Sequence, residues 1–283
     1  YNNDAGVQIT GGAYSNTMRF VYSYRNCDVY TLGGNADGFA PKLGAGKGNV
    51  FYGCYSWENS DDGWDSYDKD SLTYNLTYTN CACWNNGDPT IFTGEYDYNN
   101  GNALDTDLLL VELISKKDSS FASNYKKGKF SLSGGSFIRT TQGTLSIANW
   151  KSKYDGNPNG FKFGSVNTTS SCVRTVTNCL AFGHSSKGFD NNNSSCTAYL
   201  SNCISYDNGY NYYMPPFTLK KFSNILSFSG ASSNKLPSGY TASIPSSSKQ
   251  AQIRSTVNAT VSSITTQCKN NVIPGEVYFN IFS

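Results

Sequence analysis

The chain has 283 residues, with 22 Lys and Arg against 20 Asp and Glu, a formal net charge of +2, nine Cys and one His. That charge is too small to drive nucleic-acid binding, and no basic run is interleaved with aromatics as on an RNA-binding surface. No apolar run approaches a membrane span, and aromatics at 14% of the chain exclude a disordered composition.

The length allows one large domain or two small ones. Asn, Ser, Gly, Thr and Tyr dominate. Residues that build long amphipathic helices are sparse outside one segment, so the expectation is many short strands joined by polar turns. The chain starts at Tyr1 rather than Met, so a processed or trimmed product is expected. Sequons at Asn75, Asn167, Asn192, Asn193 and Asn258 weakly favour a eukaryotic secretory route. The single histidine excludes an HExxH zinc site and would force any Ser-His-Asp triad through His184. Its setting, Phe182-Gly183-His184-Ser185, reads as a polar turn.

Taken in chain order, two columns repeat. Gly6-Val7, Gly38-Phe39, Gly63-Trp64, Gly160-Phe161, Gly188-Phe189 and Gly209-Tyr210 form one. Asn26-Cys27, Gly53-Cys54, Asn80-Cys81, Asn178-Cys179, Asn202-Cys203 and Asn224-Ile225 form the other, recurring every 22 to 27 residues except across one interruption. Such a period with strand-like pieces predicts a solenoid. Leucine-rich repeats would place Leu at fixed offsets, which are missing, so a parallel β-helix fits better. Equivalent residues would stack about 4.8 Å apart.

Asn26, Asn80, Asn178, Asn202 and Asn224 would then form a ladder at a tight bend, where Asn tolerates the left-handed region. Cys27, Cys54, Cys81, Cys179 and Cys203 would form one inward thiol column, and Cys172 and Cys196 another. A structural stack of small apolar thiols is expected rather than a nucleophile or metal site. Ser56, Cys83, Ala181 and Ser205 would line a narrow inner column. One domain is expected over residues 1–283, with an insertion at 88–156 between consecutive coils. Within it Asp105–Lys117 reads as a helix and Phe130–Trp150 as added strands. A final apolar strand is expected after Ile273-Pro274.

The acids carry the chemistry. Asn35-Ala36-Asp37-Gly38-Phe39-Ala40-Pro41-Lys42 is followed one repeat later by Asn59-Ser60-Asp61-Asp62-Gly63-Trp64-Asp65. In a solenoid Asp37 lies over the Asp61/Asp62/Asp65 cluster. Crowded carboxylates repel unless a cation neutralises them, and calcium accepts six to eight oxygens. The competing reading is ordinary turn aspartates on a surface. Lys162 falls on the rung after Asp61–Asp65, and Lys187 and Asp190 flank the fourth Gly-aromatic pair.

These motifs resemble the signature of the family 9 polysaccharide lyases. Gly46-Lys47-Gly48-Asn49-Val50-Phe51-Tyr52-Gly53-Cys54, Asn159-Gly160-Phe161-Lys162-Phe163-Gly164, Asn178-Cys179-Leu180-Ala181-Phe182 and Lys187-Gly188-Phe189-Asp190 continue the likeness in order. It covers roughly residues 5–87 and 157–212. The resemblance implies an all-β, right-handed parallel β-helix and a calcium-dependent pectate lyase. Asp37, Asp61, Asp62 and Asp65 would be calcium ligands, Lys162 the catalytic base, and Lys187 and Asp190 substrate-binding residues. Lys162 alone reads as a solvated surface lysine. Its ammonium is expected to be disfavoured by the nearby cation and by Lys187. The expected partner is an acidic polysaccharide, polygalacturonate or pectin of the plant cell wall. A secreted monomer is expected, with no nucleic acid or membrane partner.

Three rival readings remain open. A lyase on another uronic-acid polymer such as rhamnogalacturonan shares the resemblance. A non-catalytic polysaccharide-binding β-helix would not need Lys162. A polygalacturonase-type hydrolase would require Gly-His-Gly and Arg-Ile-Lys motifs, and His184 stands instead in Gly-His-Ser.

Overall fold

The structure, a computed structural model, describes residues 4–28, 31, 33–92, 136–140, 143–146, 154–215 and 220–282. Three six-stranded parallel sheets wrap a common core. The first stacks Val7–Ile9, Phe39–Pro41, Trp64–Asp65, Phe161–Lys162, Lys187–Asp190 and Tyr210–Tyr213. The second stacks Thr17–Arg19, Asn49–Tyr52, Leu76–Thr79, Val173–Thr177, Thr197–Ser201 and Lys220–Ser223. The third stacks Tyr22–Tyr24, Tyr55–Trp57, Ala82–Trp84, Leu180–Phe182, Ile204–Tyr206 and Leu226–Phe228. Each coil contributes one strand to each sheet, so the fold is the parallel β-helix that the repeats predict.

Register explains the columns. Phe39, Trp64, Phe161, Phe189 and Tyr212 occupy equivalent inward positions of the first sheet. Their rings stack at 4.7, 4.6, 5.0 and 5.1 Å with interplanar angles of 11° or less. Stacked pairs of this kind contribute roughly 0.5–1.5 kcal/mol each beyond their buried area. The glycine before each ring is imposed by close approach. A Cβ on Gly38 would lie 1.9 Å from Ser56 Oγ, and one on Gly160 2.4 Å from the Gly188 carbonyl. Gly6-Val7 joins this column as expected. Gly209-Tyr210 does not: Tyr210 pairs with Lys187, so Asn211 takes the glycine position and Tyr212 the aromatic one.

The corner between the second and third sheets is the left-handed Asn column. Asn80, Asn178, Asn202 and Asn224 have φ of 50–53°. Asn178 donates to Asn80 Oδ1 at 3.1 Å, and Asn224 to Asn202 Oδ1 at 2.7 Å. Gly53 and Phe20 hold the same corner on earlier coils. Cys54, Cys81, Cys179 and Cys203 follow it, buried and reduced. Asn26-Cys27 lies elsewhere. Val21 takes the thiol position, because the Val21 carbonyl accepts from Tyr55 N just as Cys54 accepts from Ala82 N. Cys27 is nonetheless buried, and none of the nine cysteines is in a disulfide. Ser56, Cys83, Ala181 and Ser205 form the narrow inner column.

Asn26 instead begins a second ladder, at the corner between the third and first sheets. Its Nδ2 donates to Asn59 Oδ1 at 2.7 Å, and Asn59 Nδ2 donates to Asn86 Oδ1 at 2.8 Å. Asn86 Nδ2 then meets His184 Nε2 at 3.2 Å, and His184 Nδ1 meets Asn208 Oδ1 at 2.9 Å. His184 is therefore a buried rung of an amide ladder, not a polar turn.

The strands before and after residues 85–160 pair directly, Trp64 with Phe161 and Trp84 with Phe182. Within that span an antiparallel pair, Ser136–Thr140 with Gly143–Ser146, falls in the region read as added strands. The helix expected at Asp105–Lys117 lies outside the described residues.

The sequence reading missed a 23-residue helix, Ser247–Lys269, capped by the Ser246 side chain. It packs Ile253, Val257 and Ile264 on the outer face of the third sheet, where Trp57, Trp84, Tyr206 and Phe228 are buried. The apolar tail after Pro274 is not a strand; Phe279 and Ile281 pack into the same cluster. Among the described residues no helix is long and apolar enough to cross a membrane.

Candidate active site

The register of the first sheet builds the site. Asp65, Lys162, Asp190 and Tyr213 are paired on consecutive rungs, so their side chains share the sheet's outward face. Asp37 and Asp62 immediately precede the Gly-aromatic pairs of adjacent rungs, and Asp61 lies beside Asp62. Asp37, Asp61 and Asp62 bring carboxylate oxygens within 4.8 Å of one another. All four acids are buried.

Two lysines enter the cluster. Lys162 Nζ donates to Asp62 Oδ2 at 2.8 Å and lies 3.3 Å from Asp65 Oδ1. Lys42 Nζ donates to Asp37 Oδ2 at 2.7 Å and to Asp65 Oδ2 at 3.3 Å. Lys42 sits just past the strand Phe39–Pro41, inside the quoted motif, yet its role was not legible: only the fold turns it toward acids on two rungs. The other oxygens are mostly engaged. Asp61 accepts from the backbone N–H groups of Asn35 at 2.6 Å and Asn157 at 2.7 Å. Asp62 Oδ1 accepts from Asn159 Nδ2 at 2.8 Å, and Asp65 Oδ1 accepts from Tyr67 N at 3.0 Å. Asp37 Oδ1 is buried with no hydrogen-bond partner.

Four carboxylates thus face two ammonium groups. Burial pushes the Asp37, Asp61 and Asp62 carboxyls above the usual range. Asp65 and Asp61 push Asp37 further, while Lys162 partly offsets the rise at Asp61 and Asp62. Burial alone would lower Lys162, but Asp62, Asp65, Asp37 and Asp61 outweigh it and hold the ammonium above its ordinary value. This corrects the expectation of a solvated lysine with a lowered pKa. Lys162 is buried, and its charged neighbours in the fold are acids. Lys187 does not join it; its Nζ pairs with Asp190 Oδ2 at 2.8 Å, one rung on.

The donor set fits a divalent cation. Hard carboxylate oxygens converge, the four acids outnumber the two lysines, and one buried oxygen lacks a partner, which is costly without a ligand.

A parallel β-helix with a buried acid cluster beside one sheet is the architecture that the comparisons with known proteins return. Residues 1–104 match a family model described as Pel9A-like, right handed beta helix region. Pectate lyase L of Dickeya dadantii (strain 3937) is 31% identical over 212 residues, covering 75% of this chain and 35% of that protein. Pectate lyase PEL9 of Emericella nidulans is 29% identical over 198 residues, covering 64% of this chain and 45% of that protein. The crystal structure of pectate lyase Pel9A superposes with a TM-score of 0.57 at 28% identity, covering 88% of this chain and 49% of that one. The chain is a relative of the family 9 polysaccharide lyases and has their right-handed parallel β-helix. It spans between about a third and a half of the length of these relatives.

Proposed function

We propose that the chain is a calcium-dependent pectate lyase that cleaves polygalacturonate by β-elimination, with Lys162 as base. The observation that carries this reading is the unpartnered, buried Asp37 Oδ1 within a three-carboxylate group, one of whose members holds Lys162 Nζ at 2.8 Å. A lyase of this type needs a cation site and a base side by side.

Asp37, Asp61, Asp62 and Asp65 would hold the cation. Bound calcium supplies charge withdrawal from the substrate carboxylate, which acidifies the adjacent C5–H. Lys42 and the backbone N–H groups of Asn35 and Asn157 fix the carboxylate orientations. Lys162, as the neutral amine, accepts the C5 proton at Nζ. The electron pair left on C5 forms the C4–C5 double bond as the C4–O4 bond breaks, and the departing O4 takes a proton from solvent. Lys187, oriented by Asp190, faces the polymer on the next rung. The product is a 4,5-unsaturated oligogalacturonide. The reading places the protein outside the cell, acting as a monomer on plant cell-wall pectin, with residues 88–156 inserted between consecutive coils.

The test is incubation with polygalacturonate, with and without chelator, following ultraviolet absorbance and reducing ends. Both signals should rise, and both should vanish with chelator. Reducing ends without absorbance would identify a hydrolase, and neither signal a binding protein.

A further inference from the structure

The outward face that carries Lys162 does not end at Asp190. Tyr213 follows in register, and a parallel bridge between Tyr213 and Lys235 adds one more rung. With rungs about 4.8 Å apart, Tyr213 lies roughly 10 Å and Lys235 roughly 14 Å along the axis from Lys162.

Tyr213 is half-buried and held from two directions. Lys187 Nζ sits 4.7 Å from its ring centroid, and Tyr210 meets it edge-on at 5.1 Å and 74°. A ring fixed this way loses little freedom when another group packs on it. Lys235 is exposed and has no ion-pair partner among the described residues. Lys187, by contrast, is already neutralised by Asp190. Beyond the proposed base, this row therefore carries a preorganised aromatic platform and then an unpaired cation.

We infer that Tyr213 and Lys235 form a distal subsite on this outward face, Tyr213 packing on the apolar C–H face of a uronate ring and Lys235 pairing with a uronate carboxylate. The inference rests on the acidic-polysaccharide reading above and deepens it. It makes the site selective for longer, unesterified chains, because a short oligomer held at Lys162 does not reach Lys235 and a methyl ester offers Lys235 no charge.

The experiment compares hexagalacturonate with trigalacturonate. In the Lys162→Arg background, where the ligand is not turned over, calorimetric titration in calcium reads binding directly. Tyr213→Ala should raise Kd for hexagalacturonate up to about tenfold. Lys235→Ala should raise it about threefold, and Lys235→Glu further, with trigalacturonate affected less than twofold throughout. In the otherwise unmodified enzyme the same substitutions should raise KM for the hexamer more than they lower kcat. Lys235 is exposed, so its variants keep the fold even where Tyr213→Ala does not. Equal Kd for the hexamer in the Lys235 variants, or equal losses on both oligomers, would overturn the subsite. Failure of the unmodified protein to give unsaturated product would overturn the lyase reading instead, and the binding comparison would still decide the subsite.

Discussion

His184 offers a test of the ladder that needs no substrate. Burial lowers its pKa from 6.5 to about 4, only partly opposed by its bond to Asn208. The ladder's direction shows why the neutral ring is preferred. Asn86 Oδ1 already accepts from Asn59 Nδ2, so Asn86 presents its N–H to His184 Nε2. Nε2 must accept, and Nδ1–H donates to Asn208 Oδ1. Protonating Nε2 would set two donors against each other, and relief would require reversing the amides of Asn86 and Asn59 in turn. A group whose charged form is excluded from the folded state contributes its stability above the unfolded pKa. That contribution is lost as pH falls through the window from 6.5 to about 4. Lowering the pH from 7 to 5 should therefore cost about 2 kcal/mol through this residue alone. His184→Asn places in the ladder the side chain found at Asn26, Asn59 and Asn86 and removes the titration. Urea unfolding of both proteins at pH 7 and pH 5 isolates the effect, because every other acid titrates alike in the two. The wild type should lose about 2 kcal/mol more than the variant over that interval. Equal losses would mean that His184 accepts a proton in place, and the directional ladder would be wrong.

Other consequences concern the site and the core. Asp62→Asn should weaken calcium affinity and lyase activity together; full activity in excess chelator would exclude the cation site. Lys162→Ala should abolish unsaturated product. In the absence of calcium it should also destabilise the fold by about 3 kcal/mol, because it strands buried carboxylates, and added calcium should restore part of the loss in a thermal melt. An active Lys162→Ala enzyme would remove the residue from the mechanism. Lys162→Arg should keep most of the stability and lose most of the activity, since a guanidinium stays protonated; comparable turnover would count against a base role. Cys54, Cys81, Cys179 and Cys203 should resist thiol reagents until the chain unfolds, and rapid labelling of all four in native buffer would contradict their inward stacking.

Much of the fold was legible because a β-helix superposes residues of like kind. A glycine that cannot carry a Cβ and an aromatic ring that stacks on its neighbour recur on each rung, so Gly38, Gly63, Gly160 and Gly188 align without help from the structure. The errors have a common origin in coil length. Asn26-Cys27 was aligned on a 27-residue step to Cys54, whereas the bonds joining those two coils run between residues 33 apart, as from Asn26 to Asn59 and Arg25 to Glu58. The first coil carries a longer loop before Phe39, and the loop displaces the Asn-Cys pair to the next corner. The helix Ser247–Lys269 was hidden for a different reason. Its sequence is rich in Ser and Thr, and its buried side chains, Ile253, Val257 and Ile264, make a narrow stripe. What it covers, an outer ladder of stacked rings, exists only after the coils have formed.

The acid cluster shows where a one-dimensional reading stops. Asp37, Asp61, Asp62, Asp65 and Lys162 were identified from motifs, and the fold brings them together, although Lys162 lies 100 residues from Asp62. The balance of charge among them was not identified. Lys42 counts as one more surface cation in the sequence; in the fold it bridges Asp37 and Asp65 from below while Lys162 bridges Asp62 and Asp65 from above. Two bridging lysines face four buried aspartates, and Asp37 Oδ1 is left without a hydrogen-bond partner. Full compensation would leave no excess charge to attract a cation, and no compensation would make the empty site too costly to fold. On the proposed reading, partial pairing would hold the four acids together in the fold and still leave them able to bind an ion. On the same reading, a cation held by the acids would weaken their hold on the Lys162 proton, so ion capture and the release of a neutral amine would be two consequences of one charge balance.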